Sequence, residues 1–292
     1  MSRILVATDL STRSDRALRR AVLLAGAHTA TLTLGHVIDD DRPAYLVESE
    51  RNAASKLLDE TARTVTHTDQ VTTDVAITTG QASAGILQIA DDIDADIVVL
   101  GSHRRQLLDG FVGTTAERII RLSQRPVLMV NAMPASLYHQ SLLAVDFDDA
   151  SRTAIDCAQR FGILERTQVA ALHLFDAPAS GMMKRAMQMP EAIDHYIDSE
   201  RAEARNKLDA FLSAANVRNL QRLVEYDHGS AARMILSCAE EQGADLIVMG
   251  TNQRKGVRRF LLGSVAQNVL LDAKCDVLVV PASIDAKETA GT

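Results

Sequence analysis

The chain has 292 residues, 47% of them hydrophobic and only 3% aromatic, with no tryptophan and a formal net charge of −7. That length and apolar content allow one large domain or two of about 150 residues, and the acidic balance argues against a general nucleic-acid binder. No apolar run approaches the roughly 18 residues of a membrane span, and the N-terminus "MSRILVATDL" meets an acid too soon for a signal peptide; the expectation is a cytoplasmic protein.

The first apolar run covers 3–8 and ends at Asp9. "SDRALRRAVLLAGA" follows, with Ala17, Leu18, Ala21, Leu24 and Ala25 on one helical side. Ser14 is expected to cap that helix and Gly26 to stop it. Further apolar runs fall near 30–38, 71–78, 96–100 and 127–130, with amphipathic stretches between them, "SERNAASKLLDETARTV" among them. Runs without clear alternation suit strands covered on both faces. Strands alternating with helices require right-handed parallel crossovers.

The chain then says the same thing again. Asp9 and Asp146, Ser14 and Ser151, Ala17 and Ala154, and His36 and His173 all stand 137 apart. "ESER" (48–51) returns as "DSER" (198–201), 150 apart, so the second copy gains 13 residues (150 − 137) after His173. "ADIVVLGS" (95–102) returns as "ADLIVMGT" (244–251), "GTTAERII" (113–120) as "GSVAQNVL" (263–270), and "RPVLMVNA" (125–132) as "CDVLVVPA" (275–282). Order and offset together mean duplication. The expected fold class is α/β: two open five-stranded parallel sheets flanked by helices, Rossmann-like, in tandem. The domains are expected at 1–134 and 139–284, with Ser151 the second cap.

Ligands of open α/β sheets bind beyond the C-terminal strand ends, where strand order reverses. Asp9 and Asp146 close the first strand of each copy, Val37 and Leu174 lie at the end of the second, and Gly101 and Gly250 follow the fourth. A carboxylate there can accept a hydrogen bond from a ribose hydroxyl or an adenine amine. It can equally serve as a turn residue. Gly113-Thr114 and Gly263-Ser264 open the last helix of each copy, whose free N–H groups and dipole suit an anion.

Cys157, Cys238 and Cys275 are far apart and read as buried thiols. His36 and His173 read as packed strand histidines in preference to metal ligands. The added segment 176–190 carries Met182, Met183, Met187 and Met189, an adaptable apolar surface for a partner or for packing on its own domain.

These residues, in this order, resemble the universal stress protein family, over both halves. The resemblance implies a five-stranded parallel fold of the adenine nucleotide alpha hydrolase-like kind. ATP-binding members carry Gly, two residues, Gly, nine residues, then Gly-Ser or Gly-Thr. In the second copy Gly250 and Gly263-Ser264 match, residues 254–262 number nine, and Gln253 replaces the second glycine. Ala144, Val145, Asp146, Met249, Ser264 and Val265 stand at family contact positions. In the first copy Ala7, Thr8, Asp9, Gly101 and Gly113-Thr114 match, Arg104 replaces the second glycine, and residues 105–112 number eight. His103, at a contact position, corresponds to Asn252 in the second copy.

The basic residues Arg104 and Arg105, and Arg254, Lys255, Arg258 and Arg259, suit a phosphate field or a solvated loop. The resemblance thus implies ATP, ADP or AMP as ligand, with magnesium accompanying ATP, and the second copy is the better match. Gln253→Gly is expected to tighten ATP binding. The family's last strand often pairs domains, so "PVLMV" (126–130) and "DVLVV" (276–280) are expected to join the halves within one chain, with a homodimer or another protein as further partner. No general base, nucleophile or Walker lysine loop is evident. A regulator is expected ahead of an enzyme, with a nucleotide-free scaffold and a slow ATP hydrolase as alternatives.

Overall fold

A computed structural model describes residues 2–102, 114–187, 189–217, 220–251 and 262–282. The first half runs β1 (Arg3–Ala7), α1 (Thr12–His28), β2 (Thr31–Ile38), α2 (Ala44–Thr68), β3 (Thr73–Thr79), α3 (Ala82–Asp92), β4 (Ile97–Gly101), α4 (Thr115–Leu122) and β5 (Val127–Val130). The second half begins with β6 (Gln140–Ala144), α5 (Asp149–Arg160), α6 (Ile163–Arg166), β7 (Gln168–Phe175), α7 (Ser180–Arg185) and α8 (Pro190–Ala214). It ends with β8 (Gln221–Tyr226), α9 (Ala231–Glu241), β9 (Leu246–Thr251), α10 (Ser264–Asp272) and β10 (Asp276–Pro281).

The two expected sheets are one. The strand order is β3-β2-β1-β4-β5-β10-β9-β6-β7-β8. Neighbours are parallel within each half, and β5 and β10 pair antiparallel at the seam through Met129–Val277, Leu128–Leu278 and Val127–Val279. Every residue of β5 and of β10 is buried. An unpaired apolar edge at either strand would be a liability, and each strand covers the other.

Apolar side chains alternate between the sheet faces. Val6, Leu34, Leu128, Leu143 and Leu278 face a core that includes Ala21 and Leu24 of α1 and Leu208 of α8. Leu5, Val98, Met129, Ile247 and Val277 face the opposite core, with Ile86, Ile119, Ile235 and Val269 of the other helices. Both cores cross the seam, so the halves share one interior.

Two further contacts join the halves. Asp276 is fully buried; its carboxylate accepts from Arg20 Nε (2.9 Å), Tyr138 Oη (2.8 Å) and the N–H groups of Asn131 (2.9 Å) and Ala132 (3.1 Å). The Arg20 guanidinium lies over the Tyr138 ring, 3.9 Å from its centroid. Burial and the Asp276 charge push the Tyr138 phenol well above its ordinary value. This cluster fastens the 131–139 connection beneath α1. Elsewhere, a Cβ on Gly162, whose φ is +58°, would overlap the His28 ring, so glycine is required there for backbone and space alike.

Three expected helix ends are corrected. The caps are Ser11 and Asp148, three residues before the expected Ser14 and Ser151, and Asp148 accepts the Ser151 N–H at 2.7 Å. α1 runs past Gly26 to His28, and Thr29 closes it in the left-handed region (φ 51°).

Candidate functional site at the C-terminal strand ends

β1 lies between β2 and β4, and β6 between β7 and β9. Each half therefore has its strand-order reversal at the first strand, and the crevice opens where Asp9 and Asp146 stand. In the first half the expected Ala7, Thr8, Asp9, Val37 and Gly101 all line one cleft of about 360 Å³. That is the lower end of the range for small-molecule sites. Arg13, His36, Asp39, Glu50 and Ser102 line it too.

The turn after β1 is held from within. Thr8 Oγ1 donates to Ser14 Oγ (2.8 Å), which donates to the Ser11 carbonyl (2.7 Å). Asp9 Oδ1 accepts from the Ser11 N–H (3.0 Å) and hydroxyl (2.5 Å). Burial raises the Asp9 carboxyl, but these Ser11 bonds and Ser14 outweigh it and leave the group below its ordinary value. Asp146 differs. Burial and the nearby Asp148 carboxylate raise it, against the pull of His173. Its backbone N–H donates to Ser151 Oγ at 3.0 Å.

His36 and His173 are packed strand histidines in part. The Nδ1–H of His36 donates to the Thr8 carbonyl and that of His173 to the Val145 carbonyl, each at 2.8 Å. Each ring thus ties the second strand of its half to the turn after the first. The carbonyl can only accept, so Nε2 of the neutral ring carries a lone pair. His173 rests on Phe147, ring centroids 4.0 Å apart. His36 Nε2 is buried in the cleft wall without a hydrogen-bond partner among the described residues.

The glycines, which lie in the last residues of the fourth strands rather than after them, have a packing reason. A Cβ on Gly101 would stand 2.7 Å from the Arg13 carbonyl oxygen, and one on Gly250 would collide with the Ala150 backbone. Each strand end touches the first turn of the helix after the first strand. Gly263 is different: it caps α10 with an unremarkable φ of −59°, and no described residue lies within 4 Å of a Cβ built on it.

Thr114 caps α4, its hydroxyl accepting the Glu117 N–H at 3.1 Å. In the second half Ser264 is instead the exposed first residue of α10. The side chains of Val145 and Met249 are buried in the two cores, Leu174 and Val265 pack against the second core, and Ala144 ends β6. Gly113, Asn252 and Gln253 lie outside the described residues, as do His103, Arg104, Arg105, Arg254, Lys255, Arg258 and Arg259.

A repeated five-stranded parallel unit, reversed at its first strand and joined through its last, is matched by one family model twice, over residues 1–131 and 138–281: the universal stress protein family. The chain belongs to that family. Universal stress protein MJ0531 of Methanocaldococcus jannaschii is 33% identical over 150 residues, covering 50% of this chain and 83% of that one. A universal stress protein of Mycolicibacterium smegmatis is 26% identical over 308 aligned positions, covering 95% of this chain and 96% of its own. The crystal structure of a universal stress protein from Archaeoglobus fulgidus shares the fold, with a TM-score of 0.70 at 17% identity, covering 96% of this chain and 98% of that one.

As a tandem universal stress protein, the chain places its added Met-bearing segment at the end of β7. α7 packs against α8, and Ser180 Oγ shares a hydrogen bond with Tyr226 Oη (3.0 Å). Met182, Met187 and Met189 remain exposed, Met187 at 92%. Sequence reasoning missed Arg13, Asp39, Glu50 and Ser102. The available signal for Arg13 was its place one helical turn after Asp9.

Proposed function

We propose that this universal stress protein is a stress-response regulator that binds an adenine nucleotide beyond the C-terminal ends of its first, second and fourth strands. The carrying observation is the first-half cleft, where Asp9, Val37 and Gly101 meet. Asp9 is held as a carboxylate and can accept from a ribose hydroxyl or an amine. Gly263, with no described residue within 4 Å of a Cβ built on it, stands at the N-terminus of α10, whose dipole suits an anionic group in the second half. The loop spacing 250–264 favours the second half, and the described cleft supports the first, so the reading gives each half a site. No group of three or more His, Cys, Asp or Glu side chains fit for a metal occurs among the described residues. A magnesium ion arriving with ATP would rely on phosphate oxygens and water for most of its ligands.

No helix among the described residues is long and apolar enough to cross a membrane. The reading is tested by calorimetry of ATP, ADP, AMP and cyclic AMP against the purified chain. Absence of binding at millimolar ligand removes it. The exposed Met182, Met187 and Met189 favour a second reading, a scaffold that contacts a partner protein through this segment. A complex that forms without nucleotide and is lost on replacing those methionines by Ser would favour it.

A further inference from the structure

Three carboxylates and one arginine are among the residues that line the first-half cleft, and each carboxylate has a partner within the protein. Asp9 takes two bonds from Ser11, Glu50 pairs with Arg42 Nη1 at 3.0 Å, and Asp39 accepts the Asp41 N–H at 3.1 Å. Arg13 is the cation among the described lining residues, and it has no hydrogen bond or ion pair among them. Its backbone is fixed, because its carbonyl lies against Gly101, where no Cβ fits. It also sits in the first turn of α1, where the helix dipole adds positive potential. The second-half counterpart, at the same offset of 137, is Ala150. Among the described residues, His36 Nε2 is a buried group of the cleft lining without a hydrogen-bond partner, on a side chain only 6% exposed.

We propose that Arg13 binds the anionic group of the ligand in the first-half cleft, while His36 Nε2 accepts from an N–H or O–H donor at the ligand's uncharged end. The ligand class is a nucleoside bearing a phosphate. The second half, with Ala150, lacks this contact and must read phosphate by other groups. The inference rests on the nucleotide reading above and adds a residue that distinguishes the two halves.

A guanidinium–phosphate contact is charge-assisted and strong. The test compares AMP with adenosine by calorimetry on the full chain, on Arg13→Ala and on Arg13→Lys, with histidine ring signals followed by NMR. Arg13→Ala is expected to weaken AMP binding about tenfold or more, the loss typical of a hydrogen bond to a charged group. Adenosine binding and the melting temperature should hold, Arg13→Lys should restore part of the loss, and the His36 signals should move on adding AMP. If both ligands bind but their ratio is unchanged in Arg13→Ala, or if His36 stays unmoved, this inference falls and the nucleotide reading stands. If the unaltered chain binds neither ligand at millimolar concentration, both fall.

Discussion

Leu128 and Leu278 face each other across the antiparallel seam, and each is the other's copy in the repeat, 150 residues apart. Met129–Val277 and Val127–Val279 flank that pair symmetrically, so a pseudo-twofold axis passes through it. Both side chains are buried in one core with residues of both halves. Truncating either therefore opens a cavity in the shared interior. Leu128→Ala or Leu278→Ala is expected to cost about 2–5 kcal/mol, read as a lower urea midpoint in one cooperative transition. Two separate transitions in the unaltered chain would show instead that the halves unfold independently.

Asp276 breaks the symmetry. Its counterpart is Pro126 (276 − 150), and that of Arg20 is Cys157 (20 + 137). Removing a carboxylate that satisfies Arg20, Tyr138 and two backbone N–H groups strands a buried cation. Asp276→Ala should cost about 3–5 kcal/mol, whereas Tyr138→Phe, losing one hydrogen bond to a charged group, should cost about 1.5–3 kcal/mol. Denaturant curves of both variants check the ordering, and equal losses would contradict it.

Three glycines separate into two kinds. Gly101→Ala and Gly250→Ala each push a Cβ into backbone of the adjacent helix turn, and about 1–3 kcal/mol of destabilisation is expected. Gly263→Ala meets no described residue, at an ordinary φ, and should leave the melting temperature unchanged while weakening nucleotide binding. Unchanged calorimetric affinity in Gly263→Ala would detach this glycine from the site.

The two repeat-related aspartates should respond oppositely. Asp9 supports its turn through Ser11, so Asp9→Asn is expected to destabilise by about 0.5–1.5 kcal/mol at neutral pH. Asp146 carries a carboxylate made less comfortable by burial and by Asp148. A folded-state value above the unfolded one means stability falls as pH rises through it. Asp146→Asn should therefore be neutral or stabilising at pH 7. Thermal melts of the pair, side by side, decide the matter.

Burial lowers His173, against its bond to the Val145 carbonyl and the nearby Asp146, and burial with Arg166 lowers His28. Both are held neutral in the fold. As pH falls below the ordinary value near 6.5, the unfolded chain takes up protons that the fold refuses, and stability declines until pH passes below the folded values. The gap in stability between the unaltered chain and His173→Gln should narrow over that range. A constant gap from pH 7.5 to 5 would rule out the contribution.

Much of this was legible. The duplication and the strands of the first copy followed from ordered offsets and apolar runs, and the pairing of the last strands from the resemblance to the family. Helix starts were misplaced by three residues because Ser11, Ser14, Asp148 and Ser151 are all good capping types, and only geometry shows which is used. Gly101 and Gly250 looked like phosphate-loop glycines, yet their nearest constraint is a helix turn far away in sequence. The Asp276 cluster was invisible, because nothing local connects residues 20, 138 and 276. Nothing in the repeat pattern singled out Arg13, whose counterpart in the second copy is Ala150.

The seam has one more effect. In a symmetric homodimer every substitution strikes both sites at once. Here the β5–β10 pairing is covalently guaranteed, so each codon alters one crevice and leaves its twin intact. Arg13 opposite Ala150, and Thr114 opposite Ser264, are differences that only such an arrangement can accumulate. The lining of either crevice can thus change independently of the other.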